Sequence, residues 1–170
     1  MVLLPAVDLF EQKAVRLTQG DYRKMTVYSD DPVKKAIGLA HAGWRGTVLE
    51  IAAKTVQRMQ ELYGSRPRDI LAGISPSIGP CCFEVEEDVG GIFEAMFPDD
   101  LDAIVLPGNT SGKWMIDLWE ANKRILLGAG LLEENITVTD LCTKCQEEYF
   151  YSHRRQGPKR GTMAAFLELI

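Results

Sequence analysis

Short apolar runs that alternate with two longer amphipathic ones restrict this chain to a mixed α/β fold. From Thr47 onward, Val48, Ile51, Ala52, Val56, Met59 and Leu62 recur at the three- and four-residue spacing of one buried helix face. Thr47 with Glu50 has the form of a capping box, and Gly64 with Pro67 supplies a stop. A second helix is expected from Asp117, a good N-cap residue, through Ala121, Ile125 and Leu126 to Gly130 just past its end. A shorter one is expected over residues 86–96, weakened by Gly90 and Gly91. Residues 2–7, 13–18, 35–40, 70–74, 136–139, 149–152 and 162–170 read as strands, and residues 107–112 as a loop. Strands and helices in alternation pack as layers, a sheet covered by helices.

A chain of 170 residues with 46% hydrophobic and 25% charged residues fits one soluble domain with a true core. The net charge of −5 gives no global attraction to nucleic acid or to an anionic membrane, so neither is expected as a partner. No apolar stretch reaches membrane-spanning length, and the opening residues lack the basic start of a signal peptide. The four cysteines fall as an adjacent pair, Cys81-Cys82, and a C-x-x-C pair, Cys142 and Cys145. That is no secreted disulfide framework, and a reducing cytoplasm is the expected location. Cys142 and Cys145 suggest a redox pair or half of a zinc knuckle. Because the adjacent pair has the wrong spacing for the other half, incidental cysteines are the simpler expectation.

The stretch richest in chemistry is Ala40-His41-Ala42-Gly43-Trp44-Arg45-Gly46-Thr47. An apolar run delivers an imidazole, two glycines permit a tight turn, and a helix begins at once. Free backbone N–H groups, the helix dipole and the Arg45 guanidinium would then surround an anion beside a group able to move a proton or bind a metal. The plain structural alternative is an ordinary glycine turn with a histidine that only hydrogen-bonds. Trp44 is the better candidate for stacking a purine, whereas Trp119, on the second helix, is expected in the core.

His41-Ala-Gly-Trp-Arg-Gly46 resembles the signature of the laccase-domain family, the multicopper polyphenol oxidases also described as purine nucleoside phosphorylases and peptidoglycan editing factors. Three more stretches resemble it in order and spacing: Ile74-Ser-Pro-Ser-Ile-Gly-Pro-Cys-Cys-Phe-Glu-Val85, Ile116-Asp-Leu-Trp-Glu-Ala-Asn122, and Phe150-Tyr-Ser-His-Arg-Arg155 with Arg160-Gly161. Together they cover about residues 32–170. The resemblance implies a layered mixed sheet with flanking helices. It also implies zinc (or copper) held by His41 with a second histidine and a cysteine. The implied chemistry is phosphorolysis of nucleosides such as adenosine or inosine, together with adenosine deamination and a reported oxidoreductase activity. On that reading His41 and Arg45 are catalytic. Gly43, Trp44, Gly46, Ser77, His153, Arg154 and Arg160 line the nucleoside and phosphate site.

The family's other metal ligands lie upstream, in Gln-Val-His-Gly and Thr-Ala-Asp-Cys segments that this chain lacks; its only histidines are His41 and His153. The upstream residues instead resemble the start of the histidine-biosynthesis phosphoribosyl isomerase, in Leu3-Leu-Pro-Ala-Val-Asp-Leu9, Lys13-Ala-Val-Arg-Leu-Thr-Gln-Gly-Asp-Tyr22 and Val27-Tyr-Ser-Asp-Asp-Pro32. There Asp8 matches a catalytic carboxylate of a (β/α)8 barrel, although one βα unit cannot close a barrel. The expected organisation is therefore a foreign segment over residues 1–33 and a partial laccase-domain unit over residues 34–170. Two functional outcomes follow: a nucleoside-processing enzyme, or a recombined and catalytically empty domain, with isomerase activity a distant third. An uncovered sheet edge would favour a homodimer or aggregation.

Overall fold

The computed structural model of the chain describes residues 36–168 and, before them, the backbone of three strands. These are β1 (Asp8–Phe10), β2 (Lys13–Thr18) and β3 (Asp21–Ser29), paired antiparallel in the order β1-β2-β3. An antiparallel meander is not the strand-then-helix unit that the barrel resemblance led us to expect. The strand expected over residues 2–7 and the side chain of Asp8 lie outside the described residues.

The helix expected from Thr47 is two helices, α1 (Trp44–Val48) and α2 (Ile51–Tyr63). Thr47 does not cap, because its own N–H already donates to the Gly43 carbonyl at 2.8 Å, inside the first turn. Its hydroxyl is fully buried and accepts from Asn122 Nδ2 at 2.9 Å. Glu50, expected to close a capping box, instead sits in the left-handed region at φ 53° and turns the chain from α1 into α2. Gly64 ends α2 in the same left-handed conformation, as the sequence suggested.

β4 (Ala72–Ile74) and β8 (Ile136–Val138) pair in parallel, with Ala72 opposite Ile136 and Ile74 opposite Val138. A second sheet, antiparallel in the order β5-β7-β6, is built from β5 (Glu84–Glu86), β6 (Val105–Pro107) and β7 (Lys113–Ile116). Residues 107–112 form the turn of its β6–β7 hairpin. The helices α3 (Glu87–Met96), α4 (Leu101–Ile104) and α5 (Leu118–Gly128) complete this region. α5 starts where expected: the Asp117 carboxylate accepts from the N–H groups of Trp119 and Glu120 at 2.9 and 3.0 Å. Gly130, at φ +92°, follows its end.

The main core gathers Phe83, Val85, Phe93, Ile104, Ile116, Leu118, Ala121 and Ile125 between the antiparallel sheet, α3 and α5, with Trp44 and Val48 of α1 packed on it. Val56, Leu126 and Leu131 form a second cluster under the β4–β8 pair. α1 is thus clamped onto the core by Trp44 and by the Thr47–Asn122 hydrogen bond. The architecture is the expected mixed α/β one, with parallel and antiparallel sheets and flanking helices.

Three strand expectations fail. Residues 36–40 are irregular, and so are residues 162–168; neither run has a ladder partner among the described residues. Residues 149–152 are irregular as well and lead into the short helix α6 (His153–Gln156). Apolar and aromatic residues gave these runs strand character, but a strand is defined by a neighbour, and none is supplied.

Candidate active site and cysteine cluster

The glycines of the His41 motif are explained by close approach. A Cβ on Gly46 would lie 2.7 Å from the backbone oxygen of His41, and one on Gly43 would lie 3.0 Å from its Nε2. Glycine at both positions lets α1 press against the residue that delivers the imidazole. The next two side chains stack on one another, with the Arg45 guanidinium 4.3 Å from the centre of the Trp44 ring.

Trp44 and Arg45 line a cavity of about 500 Å³ with Phe83, Glu84, Lys113 and Arg154 among the other wall residues. Arg154 comes from α6, where its Nη1 donates to the Glu84 carbonyl at 2.6 Å and its guanidinium lies 5.2 Å from the Phe83 ring centre. The Glu84 carboxylate is held by the N–H groups of Asn109 and Thr110 at 2.7 and 3.1 Å. Lys113 pairs with Glu86 at 2.8 Å, its direct partner in the β5–β7 register. That hydrogen bond, followed by the Glu86 charge, holds Lys113 above the usual lysine range. Lys113 is therefore neutralised, whereas a carbonyl and an aromatic ring leave the charges of Arg154 and Arg45 intact. The cavity offers two guanidiniums and two aromatic faces, a combination suited to an anion beside a planar ring.

The other expected site residues stand outside this lining. His41 is exposed and follows an irregular segment. Ser77 Oγ accepts from Trp119 Nε1 at 2.6 Å, so its hydroxyl holds the half-buried Trp119 under the loop after β4. His153 Nδ1 lies 3.3 Å from Arg160 Nη1; arginine only donates, so this nitrogen accepts. Among the described residues His41 belongs to no group of three side chains able to hold one metal ion. The histidine–histidine–cysteine cradle implied by the resemblance does not fit this chain, and no chemical step is derived through a metal at His41.

The cysteines overturn a different expectation. The sulfurs of Cys81, Cys82, Cys142 and Cys145 all lie within 4.8 Å of one another. Cys81 and Cys82 occupy a tight turn in which the N–H groups of Cys82 and Phe83 both donate to the Gly79 carbonyl at 3.0 Å. That curl lets neighbouring side chains face the same way. The C-x-x-C turn meets them because the loops after β4 and β8 run on together: Ser77 pairs with Cys142, and the Thr143 N–H donates to the Ser77 carbonyl at 2.9 Å. Arg155, for which sequence reasoning found no role, donates to the carbonyls of Thr143 at 3.2 Å, Lys144 at 2.7 Å and Phe150 at 2.7 Å. Burial, then the Cys145 thiol, push the Cys81 and Cys82 thiols upward. At Cys142 burial also pushes upward, but N–H groups from Gly79, Cys145 and Lys144, followed by the Cys81 thiol, outweigh it and bring the thiol down to about 7. The signal in the sequence was the C-x-x-C spacing. What it lacked was any sign that the adjacent pair, some sixty residues earlier, would curl to meet it.

Residues 25–170 match the family model for the multi-copper polyphenol oxidoreductase laccase. The Bacillus subtilis purine nucleoside phosphorylase YlmD is 42% identical over 139 residues, which is 81% of this chain and 49% of that protein. The mouse purine nucleoside phosphorylase LACC1 is 35% identical over 162 residues, 93% of this chain and 36% of that protein. Both the family match and the mouse alignment enter the first 33 residues, the segment expected to be foreign. Among solved structures, the Bacillus licheniformis hypothetical protein YfiH superposes with a TM-score of 0.66 at 38% identity, covering 75% of this chain and 48% of that one. The chain spans about half the length of the Bacillus subtilis relative it matches. The signature motif, the cavity it lines and the match over residues 25–170 agree that the chain belongs to the multi-copper polyphenol oxidoreductase laccase family.

Proposed function

We propose that the cavity beside α1 binds a purine nucleoside and inorganic phosphate and supports phosphorolysis of the glycosidic bond. The observation that carries this reading is the meeting of Trp44, Arg45 and Arg154, from two distant motifs, in one cavity. The names of the relatives point the same way. Arg45 and Arg154 take the phosphate, and Trp44 and Phe83 offer their faces to the base. A phosphate oxygen forms a bond to C1′ as the C1′–N9 bond breaks, and the departing base takes a proton delivered from the imidazole of His41. Gly43 and Gly46 keep that imidazole against α1, and Ser77, His153 and Arg160 brace the surrounding loops. A resident zinc (or copper), a homodimer and a reducing cytoplasmic setting belong to the same proposal, the last supported by four free thiols.

The test is incubation of the full chain with inosine or adenosine and phosphate, following free base and ribose 1-phosphate by chromatography. Arg45→Ala is expected to raise the KM for phosphate at least tenfold. Loss of a proton-transfer group such as His41, in His41→Ala, is expected to lower kcat by about 10²–10⁴. A second reading, a folded domain without catalysis, is favoured by the absence of companion ligands for His41 among the described residues. It predicts no base release from either nucleoside, with or without added zinc.

A further inference from the structure

We propose that Cys81, Cys82, Cys142 and Cys145 form a tetrathiolate site for one structural zinc ion, separate from the nucleoside cavity. The geometry is that of an empty coordination tetrahedron. Four sulfurs at a Zn–S distance of about 2.3 Å stand at the corners of a tetrahedron with edges of about 3.8 Å. The observed separations are 3.7 Å for Cys81–Cys82, 3.7 Å for Cys81–Cys145 and 3.5 Å for Cys82–Cys145, and no sulfur lies more than 4.8 Å from another. That spacing suits a single ion. An iron–sulfur cluster interposes two or more irons and bridging sulfides, and would hold its thiolates farther apart. Four sulfur donors with no imidazole or carboxylate form the closed set of a structural zinc centre, with no position left for substrate.

The surroundings support the same assignment. The Gly79 N–H points at Cys142 Sγ from 3.3 Å, the type of amide–sulfur contact that stabilises a metal-bound thiolate. Gly79 must be glycine for this approach, because a Cβ there would lie 3.2 Å from Cys142 Cβ and 2.6 Å from Trp119. Arg155 fixes the backbone between Cys142 and Cys145 through the Thr143 and Lys144 carbonyls, so the C-x-x-C turn is braced from outside. Cys81 and Cys145 are exposed, which gives an ion a route in, and Cys142 is buried beneath them. The ion would fasten the loop after β4 to the loop after β8, beyond the end of their parallel pairing. The first of those loops continues through Phe83 and Glu84, which wall the cavity. The site therefore stabilises the cavity without taking part in the chemistry.

The experiment is metal analysis and zinc-edge X-ray absorption on the full chain, purified anaerobically under reduction without chelator. The expected result is one zinc per chain with four sulfur neighbours at about 2.3 Å. Replacement by cobalt should give intense sulfur-to-metal charge-transfer absorption. Cys145→Ser is expected to weaken zinc binding at least tenfold, while His41→Ala and His153→Ala keep the full complement. Nitrogen or oxygen neighbours, zinc lost in His41→Ala, a preference for copper, or four reactive thiols that fail to take up added zinc would each overturn the proposal. The readout is independent of nucleoside turnover, so an inactive protein with a four-sulfur zinc site would refute only the proposed function.

Discussion

Asp117 holds the start of α5 with a carboxylate that pays for its position in solvation. Burial raises its pKa above the ordinary 3.8, outweighing the two N–H groups, of Glu120 and Trp119, that favour the charged form. A carboxyl that binds its proton more tightly when folded contributes stability below about pH 3.8, and that contribution is lost as pH rises through the folded value. Asparagine caps as well as aspartate but does not titrate. Asp117→Asn is therefore expected to gain stability relative to the parent as pH climbs from 3 through 6, measured by urea melts at each pH. Asp117→Ala, which removes the cap, should cost about 1 kcal/mol at neutral pH. A constant difference between Asp117→Asn and the parent across that range would contradict the burial argument. This cap was legible in the sequence because an N-cap needs only local chemistry. The role of Thr47 was not, because its partner Asn122 lies 75 residues away.

α3 gives a test at the level of one element, since its two consecutive glycines have opposite surroundings. The Trp114 indole packs directly on Gly90, and an added Cβ would collide with its Cδ1 and Cγ. At Gly91 nothing lies within 4 Å of an added Cβ. Gly91→Ala is thus expected to stabilise by about 0.5–1 kcal/mol through helix propensity alone. Gly90→Ala should cost about 1–3 kcal/mol as the indole is displaced. Thermal melts of the two variants decide it, and equal effects would show that propensity, not the Trp114 contact, governs this helix. The same contrast explains how legible the elements were. α2, α3 and α5 carry a repeating apolar face over ten or more residues, which a sequence displays openly. The three strands β5, β6 and β7 span only three or four residues each and carry Glu84, Glu86, Lys113 and Pro107, so no period marks them. Their pairing comes from the cores on either side. That sheet carries one wall of the cavity, so half the candidate site was hidden with it, while the α1 half was announced by its motif.

On the scale of the whole molecule, the unpaired segments determine how the chain behaves in solution. Residues 36–40 and 162–168 have the composition of strands and no ladder partner among the described residues. They leave Leu39 62% and Phe166 79% exposed, with Ile37, Met163 and Leu167 also open to solvent. An apolar segment with free backbone N–H and carbonyl groups gains both burial and hydrogen bonds by pairing with another chain. Self-association is therefore expected, seen as a mass that rises with concentration in light scattering from the low micromolar range upward. Phe166→Asp with Leu39→Lys should return the protein to monomer without lowering its melting temperature by more than a few degrees, since neither side chain is packed in the core. A parent chain that stays monomeric at 100 micromolar would mean that these segments are covered within the molecule. Residues 8–29, whose side chains are not described, are then the first place to look for that cover.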